Sequence, residues 1–281
     1  MPRTLKSLKT PLRYPGGKSK AVPKLLQYLP NLFQVKEFRE PFLGGGSVSL
    51  EITKRYPHID IWVNDLYEPL YNFWCELQHN GQELQDALLG IKSIYCNPDA
   101  ARCLFISSKE QINDSDLSNF DRAVAFYIVN KCSFSGLTES SSFSEQASES
   151  NFSINGISRL TEYSEIIERW KITNLSYESM LCDDKNTFIY LDPPYDIKDN
   201  LYGKKGEMHK RFDHDKFAAD CDQHTCPMLI SYNSDQIIRD RFYEWTVGEF
   251  AHTYTMRSVG CYNIDQATRK ELVLTNYEMR C

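Results

Sequence analysis

The chain has 281 residues, 41% hydrophobic and 25% charged, an ordinary globular composition with length for one large domain or two smaller ones. No stretch approaches a membrane span and the N-terminus lacks the apolar run of a secretory signal, so a cytoplasmic protein without membrane association is expected. Nine cysteines form no C-x-x-C pair and the six histidines stand at no metal-ligand spacing to them, so reduced thiols and no metal are expected.

The formal net charge of −6 is unevenly divided. No acidic residue precedes Glu37, whereas Arg3, Lys6, Lys9, Arg13, Lys18, Lys20, Lys24 and Lys36 give that segment +8 and leave −14 for the remainder. A basic arm on an acidic body is a candidate phosphate contact. Within the arm, Leu12-Arg13-Tyr14-Pro15-Gly16-Gly17-Lys18 places an aromatic ring and a lysine on the two sides of a tight Pro-Gly-Gly turn, before a helix predicted to start near Ser19.

Phe38-Arg39-Glu40-Pro41-Phe42-Leu43-Gly44-Gly45-Gly46-Ser47 then reads as a short strand and a glycine turn, followed by a helical pattern through Val48, Leu50 and Ile52. This is the first half of a nucleotide-binding crossover, in which missing side chains let a ligand approach backbone N–H groups. Ile59-Asp60-Ile61-Trp62-Val63-Asn64-Asp65 is a second strand with an acid at its tip, 21 residues after Gly44, the distance at which a carboxylate meets ribose hydroxyls. Ser49 replaces the third glycine of a dinucleotide fingerprint, so an adenosine ligand without pyrophosphate fits better, S-adenosylmethionine foremost.

From Asp65 to Asp192 the chain is far longer than the roughly 30 residues of one crossover unit, so a separate unit is inserted. Residues 66–89 predict a helix through Leu70, Phe73, Trp74 and Leu77, and residues 100–110 and 120–131 predict two more. The serine-rich stretch 133–153, with Phe134, Phe143 and Phe152, reads as a flexible loop.

Thr187-Phe188-Ile189-Tyr190-Leu191 is an apolar run of strand length that stops at Asp192-Pro193-Pro194-Tyr195. The prolines hold the aspartate extended and leave carbonyls without local partners. An acceptor-only carboxylate, a rigid carbonyl and a flat ring suit a planar substrate bearing an NH2 group: the acceptors take its hydrogens while Tyr195 stacks on its face. Adenine's amino nitrogen is a poor nucleophile, and two acceptors that favour its pyramidal form direct the lone pair at an electrophile. Beyond it, residues 196–212 read as a mobile basic loop, 213–221 and 237–243 as helices, 228–233 as a strand, and strands near 245–254 and 272–277 close the sheet. The fold class expected is α/β, with a mostly parallel sheet and an antiparallel closing hairpin.

In order, Tyr-Pro-Gly-Gly-Lys, Pro-Phe-Leu-Gly-Gly-Gly-Ser, Asn-Asp and Asp-Pro-Pro-Tyr resemble the Dam-type DNA adenine-N6 methyltransferases over most of the chain. The resemblance implies a Rossmann-like S-adenosylmethionine-dependent methyltransferase domain from residues 1–66 and 170–281, and a mainly helical target recognition domain from residues 67–169. It further implies that Tyr14, Lys18, Phe42, Gly44, Gly46, Asp65 and Asp192 bind the cofactor. Asp192, Pro193, Pro194 and Tyr195 form the methyl-transfer site, acting on an adenine flipped from duplex DNA, with S-adenosylhomocysteine as product and no metal. Asn130-Lys131-Cys132-Ser133-Phe134-Ser135-Gly136-Leu137 resembles the family's DNA-facing segment, so Lys131 and Phe134, with Arg13, are expected to contact DNA. Where Dam has an arginine after the Gly-Leu pair, this chain has Thr138 and Glu139, so the GATC site is not carried over. The enzyme is expected to act as a monomer in a bacterial cell, encoded by the bacterium or by a phage. The alternatives are an RNA base, cytosine N4 or a protein amide as substrate, or a regulator that binds DNA without turnover.

Overall fold

A computed structural model describes residues 10–14, 16–95, 97–136, 141–195, 212–251 and 270–279. Arg3, Lys6 and Lys9 of the basic arm, Thr138 and Glu139, nearly all of the basic loop at 196–212 and the strand end expected at 252–254 lie outside the described residues.

Seven strands form one sheet: β1 (Glu37–Glu40), β2 (Asp60–Asn64), β3 (Lys171–Thr173), β4 (Thr187–Leu191), β5 (Met228–Asn233), β6 (Thr246–Ala251) and β7 (Lys270–Thr275). Their order is β3-β2-β1-β4-β5-β7-β6. The first five are parallel, and β7 runs antiparallel to both β5 and β6. This is the Rossmann-like arrangement expected, with its antiparallel closing hairpin. The direction of winding reverses between β1 and β4, whose carboxyl ends therefore flank a crevice. β4 lies in mid-sheet with all five residues buried. Phe188 and Tyr190 enter the core on one face, Ile189 and Leu191 that on the other, because successive strand side chains alternate.

Helices α1 (Val22–Leu25) and α2 (Ser47–Arg55) flank β1. Among the described residues, seven more lie between β2 and β3: α3 (Glu68–His79), α4 (Gly81–Ile94), α5 (Pro98–Gln111), α6 (Asn119–Cys132), α7 (Glu145–Ser150), α8 (Ile154–Ile157) and α9 (Leu160–Ile167). α10 (His214–Asp222) and α11 (Gln236–Arg241) follow β4 and β5. The inserted stretch is thus helical, and its core is continuous with one face of the sheet: Trp74 of α3 packs on Trp170 at 5.8 Å between centroids and Phe73 stacks on Tyr127 of α6 at 5.8 Å, in one cluster with Phe38 and Val63. α6 is buried continuously from Ala123 to Cys132, as a helix surrounded on all sides must be.

Three local expectations need correction. The single helix predicted over 66–89 is two, α3 and α4, broken at Asn80. A Cβ on Gly81 would lie 2.4 Å from Ser164 Cβ, so α9 packs directly on that backbone; the apolar period runs through the break because Leu77, Leu84 and Leu88 enter the same core. In the serine-rich stretch, the described residues include α7, an antiparallel bridge between Ser133 and Phe143, and a fully buried Phe152. Two of its serines are helix caps: Ser144 Oγ accepts from Ala147 N and Ser153 Oγ from Gly156 N, both at 3.2 Å. β3, three half-exposed or exposed residues at the sheet edge, was not predicted. Among the described residues no helix is long and apolar enough to cross a membrane.

The two glycines of α4 provide a paired test. Gly90 has open space around a would-be Cβ, so Gly90→Ala is expected to raise stability by about 0.5–1 kcal/mol. Gly81→Ala is expected to lower it by about 1–3 kcal/mol as α9 is forced off. Urea unfolding of both variants measures the contrast.

Candidate active site

A cavity of about 290 Å³ opens over the carboxyl ends of β1, β2 and β4. Every residue expected on the cofactor side, Tyr14, Lys18, Phe42, Gly44, Gly46 and Asp65, lines it together with Asp192 to Tyr195. Residues distant in sequence meet here because the glycine turn ends β1, Asp65 follows β2 and Asp192 follows β4.

The glycine turn is fixed on both sides. Gly44 and Gly46 have φ of 49° and 67°, and a Cβ on either would come within 2.9 Å of the Tyr14 or Trp74 ring respectively. Trp74 Nε1 donates to Gly44 O at 3.1 Å. Asp65 holds the turn from below, with Oδ2 accepting from Gly44 N at 2.9 Å and Oδ1 from Tyr67 N at 3.0 Å. Burial pushes its carboxyl up to about 6 against these two hydrogen bonds. Phe42 stacks on Tyr177 at 5.7 Å and meets Phe212 edge-on, giving the cavity an aromatic wall.

Lys18 is almost wholly buried, and its Nζ stands 2.7 Å from Asp192 Oδ1, 3.2 Å from Glu271 Oε1 and 2.5 Å from Tyr195 Oη. Burial alone would lower the ammonium's pKa, but Asp192 and Glu271 more than reverse that, and Lys18 stays charged. For Asp192 burial is the largest influence and raises the carboxyl above the usual carboxylate range; Lys18 opposes it and Glu271 adds to it. Ser231 Oγ also donates to Asp192 Oδ1 at 3.1 Å. Oδ1 is thereby anchored, while Oδ2 has no hydrogen-bond partner among the described residues. Tyr195 stacks on Tyr232 at 5.9 Å.

Arg13, Lys131 and Phe134 form a neighbouring group outside the cavity lining. Arg13 is half-buried and donates from Nη1 to Ser133 O at 2.8 Å. Lys131, expected to face DNA, is 8% exposed, with Nζ 5.2 Å from the Tyr127 ring centroid and its pKa pushed down to about 8 by burial and the neighbouring Arg13. Phe134 is 49% exposed. The group is tied to the Tyr14 strap by Asn130, whose Oδ1 accepts from Arg13 N at 3.0 Å and whose Nδ2 donates to Arg13 O at 2.6 Å and Gly136 O at 3.0 Å.

Sequence reasoning missed Glu40, Glu271 and Asn130. Glu40 carries the same signature as Asp192, an acid-proline pair at a strand end, on the adjacent strand. Its Oε2 accepts from Ser49 N at 3.0 Å and from Ser49 Oγ, so the serine in place of a third glycine serves this carboxylate. Burial drives the Glu40 carboxyl up to about 8, opposed by the two Ser49 bonds and assisted by Asp192 and Asp65. Glu271 is the second residue of β7, where a charged residue near a strand start gives no local signal. Among the described residues, no group of three or more His, Cys, Asp or Glu side chains is arranged to hold a metal.

A winding reversal with a glycine cradle on one strand and Asp-Pro-Pro-Tyr on the next fits a transferase acting on a planar amine. Residues 14–256 match the family described as D12 class N6 adenine-specific DNA methyltransferase, and the chain belongs to that family. It is 23% identical to the type II methyltransferase M.MjaIII of Methanocaldococcus jannaschii over 66% of this chain and 68% of that protein. It is 27% identical to the DNA adenine methylase of Vibrio cholerae over 66% of this chain and 64% of that protein. The type II methyltransferase M1.LlaDCHI of Lactococcus lactis is 20% identical over 94% of both chains. This family sets aside the RNA, cytosine and protein-amide alternatives and makes the chain an adenine-specific DNA methyltransferase.

The buried acids impose a pH dependence on the free protein. With folded-state values near 8 for Glu40 and 6 for Asp65, the folded state binds these protons more tightly than the unfolded chain. Their contribution to stability is therefore greatest at low pH and is lost as the pH rises through 6 and then 8. Between pH 6 and 8 Glu40 alone is expected to remove roughly 2 kcal/mol. Glu40→Gln should flatten that decline relative to wild type in urea titrations at the two pH values.

Proposed function

We propose that the methyl donor is S-adenosylmethionine held over the Gly44–Gly46 turn, and that the acceptor is an adenine extruded from duplex DNA against Asp192 and Tyr195. The observation that carries this reading is that the glycine cradle, Asp65 and Asp192 to Tyr195 line one cavity. The donor's chemistry fits the residues present. Side chains on the glycine turn would fill the cradle, and Glu40, Asp65 and Asp192 line the cavity with carboxyl groups whose ionised forms a cation would favour. When bound, the donor supplies a methyl group already activated by a sulfonium, which needs no covalent enzyme intermediate.

The roles of the chain's own residues follow from their placement. Asp65, which lines the cavity while its two oxygens accept from Gly44 N and Tyr67 N, is assigned to the ribose hydroxyls, and Phe42 and Tyr14 wall the cavity. Asp192 Oδ2 accepts a hydrogen of the adenine amine, the carbonyl between Asp192 and the prolines takes the other, and Tyr195 stacks on the ring. Lys18 acts beneath Asp192, anchoring Oδ1, and not only as a cofactor contact.

Residues 67–169 serve as the target recognition domain, between residues 1–66 and 170–281 of the catalytic domain. Phe134 is the exposed ring that stacks on a base, and half-buried Arg13 is assigned to the phosphate side, with the buried Lys131 adding its charge from behind. The enzyme works as a monomer on DNA in the bacterial cytoplasm.

Incubation of the protein with unmethylated genomic DNA and labelled S-adenosylmethionine is expected to place label in N6-methyladenine at a short recurrent sequence. Asp192→Ala should lower transfer by about 10²- to 10³-fold, and Asp65→Ala should weaken cofactor binding measured by calorimetry. Undiminished transfer by the Asp192 variant would sink the assignment of this site.

A further inference from the structure

Glu271 is fully buried at the start of β7. Because β7 runs antiparallel to β5, pairing Glu271 with Asn233, its first residues lie at the carboxyl end of the parallel strands, where the cavity opens. Its Oε1 is a shared acceptor: Lys18 Nζ lies 3.2 Å away and Tyr195 Oη donates to it at 2.6 Å. Lys18 in turn reaches Asp192 Oδ1, so one carboxylate from the far end of the chain determines where both groups flanking the target pocket can stand.

We propose that Glu271 is a positioning residue for methyl transfer, holding Lys18 and Tyr195 so that Asp192 Oδ2 and the Tyr195 ring face the target adenine. This rests on reading Asp192 to Tyr195 as the target-base site. Lys18 between two carboxylates is drawn to Oδ1 of Asp192 and away from Oδ2. A single carboxylate would let the ammonium bridge both oxygens and occupy the acceptor the amine needs. The ring of Tyr195, fixed by its hydroxyl, by Lys18 at 4.8 Å from its centroid and by Tyr232, is held in one plane for stacking.

Glu271→Gln preserves shape and an acceptor for Tyr195 but removes the charge. In single-turnover and steady-state assays its kcat is expected to fall about 10- to 100-fold, with the KM for cofactor and for DNA within about threefold of wild type. The acid limb of its kcat profile should move to lower pH, because Asp192 loses a like-charged neighbour. Of the other titratable groups facing this cluster, Lys18 and Tyr190 also lose an interaction that raises them, but Lys18 stays paired with Asp192 and neither titrates on the acid limb, while Glu40 and Tyr195 keep their own side chains. Glu271→Asp, which retracts the charge by one methylene, should lose kcat with KM preserved and keep the wild-type limb; it carries the test alone if the glutamine variant does not fold. Wild-type kcat in either variant, or a lower kcat in the glutamine variant with an unmoved acid limb, overturns the inference and leaves Glu271 a scaffold residue. If wild type and Asp192→Ala transfer equally, the reading of the site itself has failed instead.

Discussion

The ammonium of Lys18, buried between Asp192 and Glu271 and touching the Tyr195 hydroxyl, is the interaction on which the site depends. Burying an ion costs several kcal/mol even after relaxation, so three charges at the floor of a cavity persist only where geometry and partners are nearly complete. Here they come from four places: the strap before α1, the end of β4, the start of β7 and, through Ser231, β5. A lysine on the N-terminal strap is thus the means by which the first residues of the chain and one of its last strands act on one carboxylate.

The same end of the sheet collects acids. Glu40 ends β1, Asp65 follows β2, Asp192 follows β4 and Glu271 lies near the start of β7, and all four are nearly or wholly inaccessible apart from part of Asp192. Lys18 compensates two of them directly. Glu40 and Asp65 are held chiefly by backbone N–H groups and a serine hydroxyl, and burial keeps part of their population protonated near neutral pH. A cationic ligand entering this region meets carboxylates whose ionised forms it favours, so its binding is linked to proton release.

Much of this was legible because the signals were local. The apolar run of β4 ending at Asp192, the glycine turn after β1 and the acid after β2 each carry their chemistry within a few residues, and the family resemblance joined them. Glu40 was equally legible, since Glu40-Pro41 repeats the pattern of Asp192-Pro193, but the neighbouring glycines drew the reading. Glu271 was not, because its meaning depends on β7 inserting antiparallel beside β5, a pairing no nearby residue encodes. The serine-rich stretch misled for another reason: composition cannot distinguish serines that solvate a loop from Ser144 and Ser153, which cap helices. Lys131 was expected at a DNA phosphate from the resemblance alone, and its burial depends on α6 being enclosed from Ala123 to Cys132, which no residue near it announces.

The strap from Thr10 to Lys18 joins these parts mechanically. Tyr14 packs against Gly44 closely enough to exclude a Cβ there, and Arg13 packs against Gly136, where a Cβ would lie 2.5 Å from the Arg13 carbonyl. Thr10 Oγ1 donates to Gly45 O, and Asn130 grips the Arg13 backbone from both sides. Protein interiors are close-packed and do not deform continuously. A displacement of the segment after α6 is therefore felt by the strap, and through Tyr14 and Lys18 by the glycine turn and Asp192 in turn. Cofactor cradle, target pocket and the expected DNA-facing segment share one wall, a short run of chain whose glycines and aromatic ring leave no slack between them.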